Sequence, residues 1–266
     1  MALWLIGLGL HDVRSMSVAG LDAARACAAL YAESYTAILS TSHSELEAFI
    51  GKPVRKLDRL GVEKGADKLV AEAAHADVGL LVVGDPMAAT THTDLVVRAR
   101  AAGVAVHIQH APSILTAAPG LLGLQHYKFG RTTTLVRPQG NWNPTSPFDA
   151  VNENMSRGLH TLVLLDIQAE SNYFMRADEG IRQLLDLARR TGAAWFNEQS
   201  EVGVVARAGS AEPGLWTGSA GRLSKMDFGA PLHCIIVPGP LHDVEATAWA
   251  GLAVPRTGPT TSPPTR

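Results

Sequence analysis

Short apolar runs, each stopped by glycine, proline or a polar exit, constrain this chain more than any other feature. Leu3 to Leu8 ends at Gly9, Val78 to Val83 ends at Gly84-Asp85-Pro86, and Val104 to Ile108 leads into His110-Ala111-Pro112. Between them, Val18 to Tyr31 has helical composition rich in Ala and Leu, and Thr93 to Ala102 also reads as a helix. Strand, helix and strand in that order predict an α/β fold with a largely parallel sheet.

The stretch Pro138 to Pro147, PQGNWNPTSP, is dense in Pro, Asn and Gly and carries no periodicity, so an inter-domain linker is expected at 138–147. Beyond it, Thr161 to Ile167, Val202 to Ala206 and His233 to Val237 are further strand-like runs, with Asp227-Phe228-Gly229 in a loop. Glu179 to Arg190 has helical spacing, with Ile181, Leu184, Leu185 and Leu187 on or near one face. The expected organisation is an α/β domain over 1–137 and a smaller α/β domain over 148–254. The Pro- and Thr-rich end, 255–266, cannot bury a face and is expected to be a disordered tail.

A chain of 266 residues is long enough for one large domain or two smaller ones. Its net charge of −2 argues against nucleic acid as a partner, which calls for a basic excess. Cys27, in an Ala-rich helical stretch, and Cys234, in a strand-like run, lack metal-ligand spacing and read as reduced core residues, so a cytoplasmic location is the default. MALWLIGLGL has no basic n-region and reads as a buried first strand, not a signal peptide. No apolar run reaches the length of a membrane span.

Two strand exits invite a ligand. The turn Gly7-Leu8-Gly9-Leu10 lacks the third glycine of the dinucleotide fingerprint and has Asp12 instead, and the helix starts later, near Ser17. That leaves a nicotinamide-cofactor site that departs from the fingerprint, a tight turn that needs glycine, or the lining of a cleft for a different nucleotide-like ligand. After Gly84-Asp85-Pro86 come Ala88, Ala89, Thr90, Thr91 and His92, small residues that let a ligand approach the backbone. Asp85 could accept hydrogen bonds from a ligand amine or hydroxyl, or could cap the next helix, which Thr91 or Thr93 would do equally well. There is no G-x-S-x-G elbow, and the histidines lack H-E-x-x-H spacing, so neither a nucleophilic triad nor a metal site is expected. No catalytic residue is identified.

Taken together, the order of motifs resembles the diphthine synthase family of the tetrapyrrole-methylase superfamily. The matching stretches are LWLIGLGL at 3–10, AESYT at 32–36, VGDPMAATTHTD at 83–94, HAPSI at 110–114, YKFG at 127–130 and GNWNPTS at 140–146. RGLHTLVLLDI at 157–167, ARAGS at 206–210, DFG at 227–229 and IVPG at 236–239 complete the series, over roughly residues 2 to 245. The resemblance implies two α/β domains of tetrapyrrole-methylase type with S-adenosylmethionine in the cleft between them, and a homodimer. The family's cofactor contacts fall on Leu10, Asp85, Ala88, Ser113, Ile114, Leu165, Ala208 and His233. It implies repeated methylation of the amino group of an aminocarboxypropyl-histidine on translation elongation factor 2, a step of diphthamide biosynthesis. The alternatives are a relative that methylates a small tetrapyrrole, against which the ATTHTD and GNWNPTS stretches count, and a non-catalytic nucleotide-binding protein. Departures from the family pattern are an extra residue near Pro119-Gly120, the stretch Thr191 to Glu201, and the tail.

Overall fold

The computed structural model describes residues 1–33, 38–57 and 65–254. The expected tail at 255–266 and Ser34 to Thr36 of the AESYT stretch lie outside the described residues. The first sheet contains β1 (Ala2–Gly9), β2 (Ala29–Glu33), β3 (Arg55–Leu57), β4 (Val78–Val83) and β5 (Ala105–Gln109), in the order β3-β2-β4-β1-β5. All its pairings are parallel. The apolar runs are continuous because both faces of the sheet are covered. Leu3 and Leu5 of β1, with Val78, Leu80 and Val82 of β4, pack into one cluster with the helices Ala66–Ala73 and His92–Ala101. Ile6, Leu8, Leu30 and Leu81 pack on the other face against Val18–Ala26 and His43–Ile50.

The expected helix from Val18 to Tyr31 is shorter. It ends at Ala26, and Ala29 to Glu33 turns into β2, paired with β4 from Ala29–Val78 to Ala32–Leu81. Lys52 Nζ donates to the Cys27 carbonyl at 2.6 Å and also to that of Arg25, satisfying carbonyls at the helix end. An Ala- and Leu-rich stretch has no local stop signal, so a long-range lysine and an available sheet edge set the boundary. Cys27 closes this helix and is buried, and burial beside Asp77 pushes its thiol up to about 11.

The second sheet holds β6 (Thr133–Leu135), β7 (Thr161–Leu165), β10 (Glu201–Ala206), β11 (Gly214–Ser219) and β12 (His233–Val237), ordered β11-β10-β12-β7-β6. Only β6 and β7 are parallel; the other pairings are antiparallel. A small hairpin, β8 (Ile167–Gln168) with β9 (Tyr173–Phe174), follows β7. Strand β6 lies upstream of the linker expected at 138–147, and the Ile114–Leu121 helix places Ala118 in a cluster with Leu162, Val205 and Ile236 of this sheet. The change from first to second sheet therefore falls between β5 and that helix. Within 138–147, Gln139 and Trp142 exchange backbone hydrogen bonds of 2.9 Å in a tight turn, and a helix already begins at Ser146.

Alternate side chains of the second sheet again face two clusters. Val163, Leu165, Val202, Val204 and Ile235 pack with the amphipathic helix Ala177–Thr191. Leu162, Val205, Cys234 and Ile236 pack with Trp249 of the helix Asp243–Gly251. Residues 191–201, which depart from the family pattern, supply Phe196, buried and edge-on to Phe148 at 5.7 Å.

A buried carboxylate joins four segments of this half. Glu245 Oε2 accepts from Lys128 Nζ at 2.5 Å and from the His242 backbone at 2.9 Å. Its Oε1 accepts from the Gln125 backbone at 2.9 Å and from His160 Nε2 at 3.1 Å. The YKFG, RGLH and IVPG stretches meet here, because His160 Nδ1 accepts the Gly239 N–H at 2.9 Å. Burial acts to raise the Glu245 pKa, but Lys128, the backbone donors and His160 outweigh it and hold it at about 2, below its ordinary 4.5. That difference corresponds to roughly 3 kcal/mol of folding stability. A lowered carboxylate contributes fully above the unfolded value and loses its contribution as pH falls through the folded one. Thermal melts should therefore show a stability loss between about pH 4.5 and 2 that Glu245→Gln flattens, with a cost of about 3 kcal/mol at neutral pH from the unpaired Lys128.

Candidate functional site

The strand ends assemble one deep cleft. The carboxyl ends of β1, β2 and β4 open on it with Leu10, Glu33 and Gly84, and the loop after β5 brings Ser113 and Ile114. Ligands of open parallel sheets bind at this end. From the second sheet come Leu165 at the end of β7 with Asp166 just beyond it, and Arg207 and Ala208 after β10. β12 runs antiparallel to both, with Ala206 opposite His233 and Leu164 opposite Cys234, so its first residues reach the same place. The enclosed volume is about 510 Å³, within the range of small-molecule sites, about 300–1,000 Å³.

Gly84 lines the floor and Gly9 backs it. Their N–H and C=O groups exchange hydrogen bonds of 3.1 and 2.8 Å across β1 and β4, at φ of +73° and +79°. A Cβ added at Gly84 would meet nothing within 4 Å, so its backbone faces open space that a ligand can enter. His11, Ala89 and Arg207, all cleft residues, also hold positive φ, at 66°, 55° and 53°. Such strained positions persist where the surroundings enforce them, and they gather at binding sites.

Every contact residue expected from the sequence lies in this lining: Leu10, Asp85, Ala88, Ser113, Ile114, Leu165, Ala208 and His233. Asp85 does not cap the next helix. Its Oδ1 accepts the Met87 N–H at 2.9 Å, while Oδ2 accepts from His110 Nδ1 at 2.7 Å and the Ala111 N–H at 3.3 Å. It therefore holds the exits of β4 and β5 together. Ser113 caps the helix that begins at Ile114, accepting the Leu115 N–H at 3.2 Å. His233 Nδ1 accepts the Ala177 N–H at 3.2 Å, so Nε2 donates to the Ala230 carbonyl at 2.9 Å. Burial lowers its pKa, and the ring is neutral with both nitrogens engaged.

Glu33 and His92 stand in matching stretches, but nothing local in the sequence marks either as a site residue. His92 Nε2 lies 3.1 Å from Glu33 Oε2, and Nδ1 lies 2.9 Å from the Pro86 carbonyl, with both side chains 1% exposed. Both partners are acceptors, so the ring donates twice and is an imidazolium. Burial opposes that charge, but the bond and charge of Glu33 outweigh it and the His92 pKa is raised. The pair ties the GDP loop to the end of β2. Arg207 likewise fixes the far wall, donating to the Phe228 and Ala230 carbonyls at 2.9 and 3.0 Å.

Residues 2–224 match the Tetrapyrrole (Corrin/Porphyrin) Methylases family. The diphthine synthase of Methanococcus maripaludis is 47% identical over 245 residues, covering 92% of this chain and 96% of that protein. The diphthine synthase of Methanocaldococcus jannaschii is 46% identical over 247 residues, with the same coverage of 92% and 96%. The chain belongs to the diphthine synthases, within the tetrapyrrole methylases. A solved diphthine synthase structure superposes with a TM-score of 0.86 at 35% identity, covering 95% of this chain and 96% of that one. The chain is thus a methyltransferase of this family, and its two-sheet architecture is the family's fold.

A raised histidine pKa contributes stability fully below the unfolded value and loses it as pH rises through the folded value. Glu33→Gln should therefore melt well below wild type under pH 6.5, and the gap should narrow as pH rises above that. Parallel melts across the alkaline range check this.

Proposed function

We propose that this chain uses S-adenosylmethionine to methylate, repeatedly, the amino group of the aminocarboxypropyl-histidine of translation elongation factor 2, giving diphthine. The observation that carries the reading is the single cleft that gathers every expected contact position from two sheets. The fit of a nucleoside is supported by the open backbone at Gly84, the small Ala88 and Ala89 beside it, and a lining that is mostly apolar. Leu10, Asp85, Ala88, Ser113 and Ile114 would hold the cofactor from the first sheet's side, and Leu165, Ala208 and His233 from the second. When bound, the cofactor supplies a methyl group already activated on a sulfonium. The protein's task is then to align the acceptor with that methyl, and orientation alone can lower a barrier by about 7–11 kcal/mol. That chemistry calls for no metal, and among the described residues no group of three or more His, Cys, Asp or Glu side chains is placed to hold one.

In this reading the two sheets are the two domains, a homodimer is the working form, and the enzyme acts in the cytoplasm. Among the described residues no helix is long and apolar enough to cross a membrane.

Labelled methyl transfer is the direct test. Elongation factor carrying the aminocarboxypropyl group should be labelled and unmodified factor should not, because an unmodified imidazole offers no primary amine. Equal labelling of both would sink the diphthamide assignment even with the fold intact. The cofactor site is tested by Ala88→Trp, which should abolish calorimetric binding of S-adenosylhomocysteine and leave the melting temperature near wild type. A lowered melting temperature with binding retained would contradict the placement of the cofactor beside Ala88.

A further inference from the structure

We propose that Asp166 and Arg137 hold the amino-acid end of the acceptor at the mouth of the cleft, Asp166 taking the amine to be methylated and Arg137 the carboxylate. The inference rests on the methyltransferase reading above and adds the groups that meet the acceptor.

The carboxylates that line the cleft are Glu33, Asp85 and Asp166. Glu33 is buried against the His92 imidazolium. Asp85 uses both oxygens to join two loops. Asp166 differs, because its Oδ2 accepts from the Arg137 backbone at 3.0 Å and from Gln168 Nε2 at 2.9 Å. Among the described residues no hydrogen bond reaches its Oδ1. Those two donors hold the carboxylate in place, and the backbone beneath it is fixed by the Met175 N–H, which donates to the Asp166 carbonyl at 2.9 Å at the base of the β8–β9 hairpin.

Arg137 follows β6, which runs beside β7, and its guanidinium stands 4.4 Å from the centre of the Tyr173 ring. Glu179 Oε1 in turn accepts the Tyr173 hydroxyl at 2.7 Å, so the aromatic face is fixed. Among the described residues no carboxylate pairs with this guanidinium. A planar cation held on a ring retains its outward donors for a carboxylate. Asp166 lines the cleft, Arg137 does not, and the bond between them is exposed, which puts the pair at the rim, where an arm of a large protein must enter. An anion in the lining, and a cation carried by the residue whose backbone holds that anion, complement an α-amino acid.

In each transfer the neutral acceptor nitrogen forms the N–C bond while the C–S bond breaks with its electron pair on sulfur, and positive charge passes to nitrogen. A carboxylate beside that nitrogen stabilises charge where it develops. It also raises the pKa of the bound amine, whose proton leaves to water before each attack.

The rise of kcat with pH reports the amine in the complex, whereas that of kcat/KM reports the free acceptor. Asp166→Asn should lower kcat roughly ten-fold and move its rise to lower pH by about 1 unit. The rise of kcat/KM should stay in place, and Asp166→Glu, which keeps the charge, should retain the wild-type profile. Arg137→Met should weaken equilibrium binding of the modified elongation factor, measured with S-adenosylhomocysteine present, by roughly ten-fold. Melting temperature and S-adenosylhomocysteine affinity, measured without the acceptor, should match wild type in all three variants. Loss of that affinity in Asp166→Asn would overturn the proposal, because the carboxylate would then serve the cofactor's own amine. An unmoved rise of kcat together with unchanged acceptor binding would overturn it too. If wild type bound S-adenosylhomocysteine but labelled no elongation factor, the reading beneath the proposal would fail first.

Discussion

Gly9 and Gly84 exchange two backbone hydrogen bonds at the ends of β1 and β4, and the cleft depends on that pair. Both residues hold a left-handed φ, so each strand can leave the sheet immediately after pairing. A Cβ at Gly9 would sit 2.5 Å from that of Ser15, so the turn closes only around glycine. Leu10, the next residue, meets the second half of the chain, where a Cβ added to Gly209 would lie 2.7 Å from the Leu10 Cβ. The floor of the cleft and the contact between its two walls are thus set within a few residues of one another.

Two buried ionic centres brace the two halves, and geometry decides the charge state of the histidines in and near them. His92 faces a carbonyl and a carboxylate, must donate twice, and carries charge. His160 and His233 each accept one backbone N–H, so each keeps a single ring proton for the acceptor on the other side. Burial lowers the pKa of both, in keeping with neutral rings. The Glu33–His92 pair anchors the GDP loop of the first sheet, and Glu245 with Lys128 and His160 anchors the second. Several stretches that match the family, among them YKFG, RGLH and IVPG, therefore lie outside the cleft lining. The two centres are polar joints: the first holds the GDP loop at the cleft, and the second ties together the end of the second sheet away from it.

This division explains why the cleft contains so little conventional catalytic chemistry. A reaction that needs alignment more than proton transfer can be served by rigid walls, small residues and backbone groups. The strain stored at His11, Ala89 and Arg207 lies in the lining, and its cost is met by the packed sheets behind it.

The sequence by itself determined the α/β class, the apolar strands and the loops at which they stop, because fully covered strands must be apolar and strand exits need Gly, Pro or small residues. It also determined membership in the family, through motifs whose residue order survives. The extent of the Val18 helix, the early start of the second sheet at Thr133 and the short strands β2 and β3 were decided by pairing partners distant along the chain. The roles of Asp85, Glu33 and His92 were decided in the same way. A carboxylate after a strand reads alike whether it caps a helix, joins two loops or faces a ligand. Only the tertiary structure shows that Asp85 is occupied from both sides and that Asp166 has an oxygen to spare, because hydrogen-bond partners 25 or 29 residues away leave no mark on local sequence.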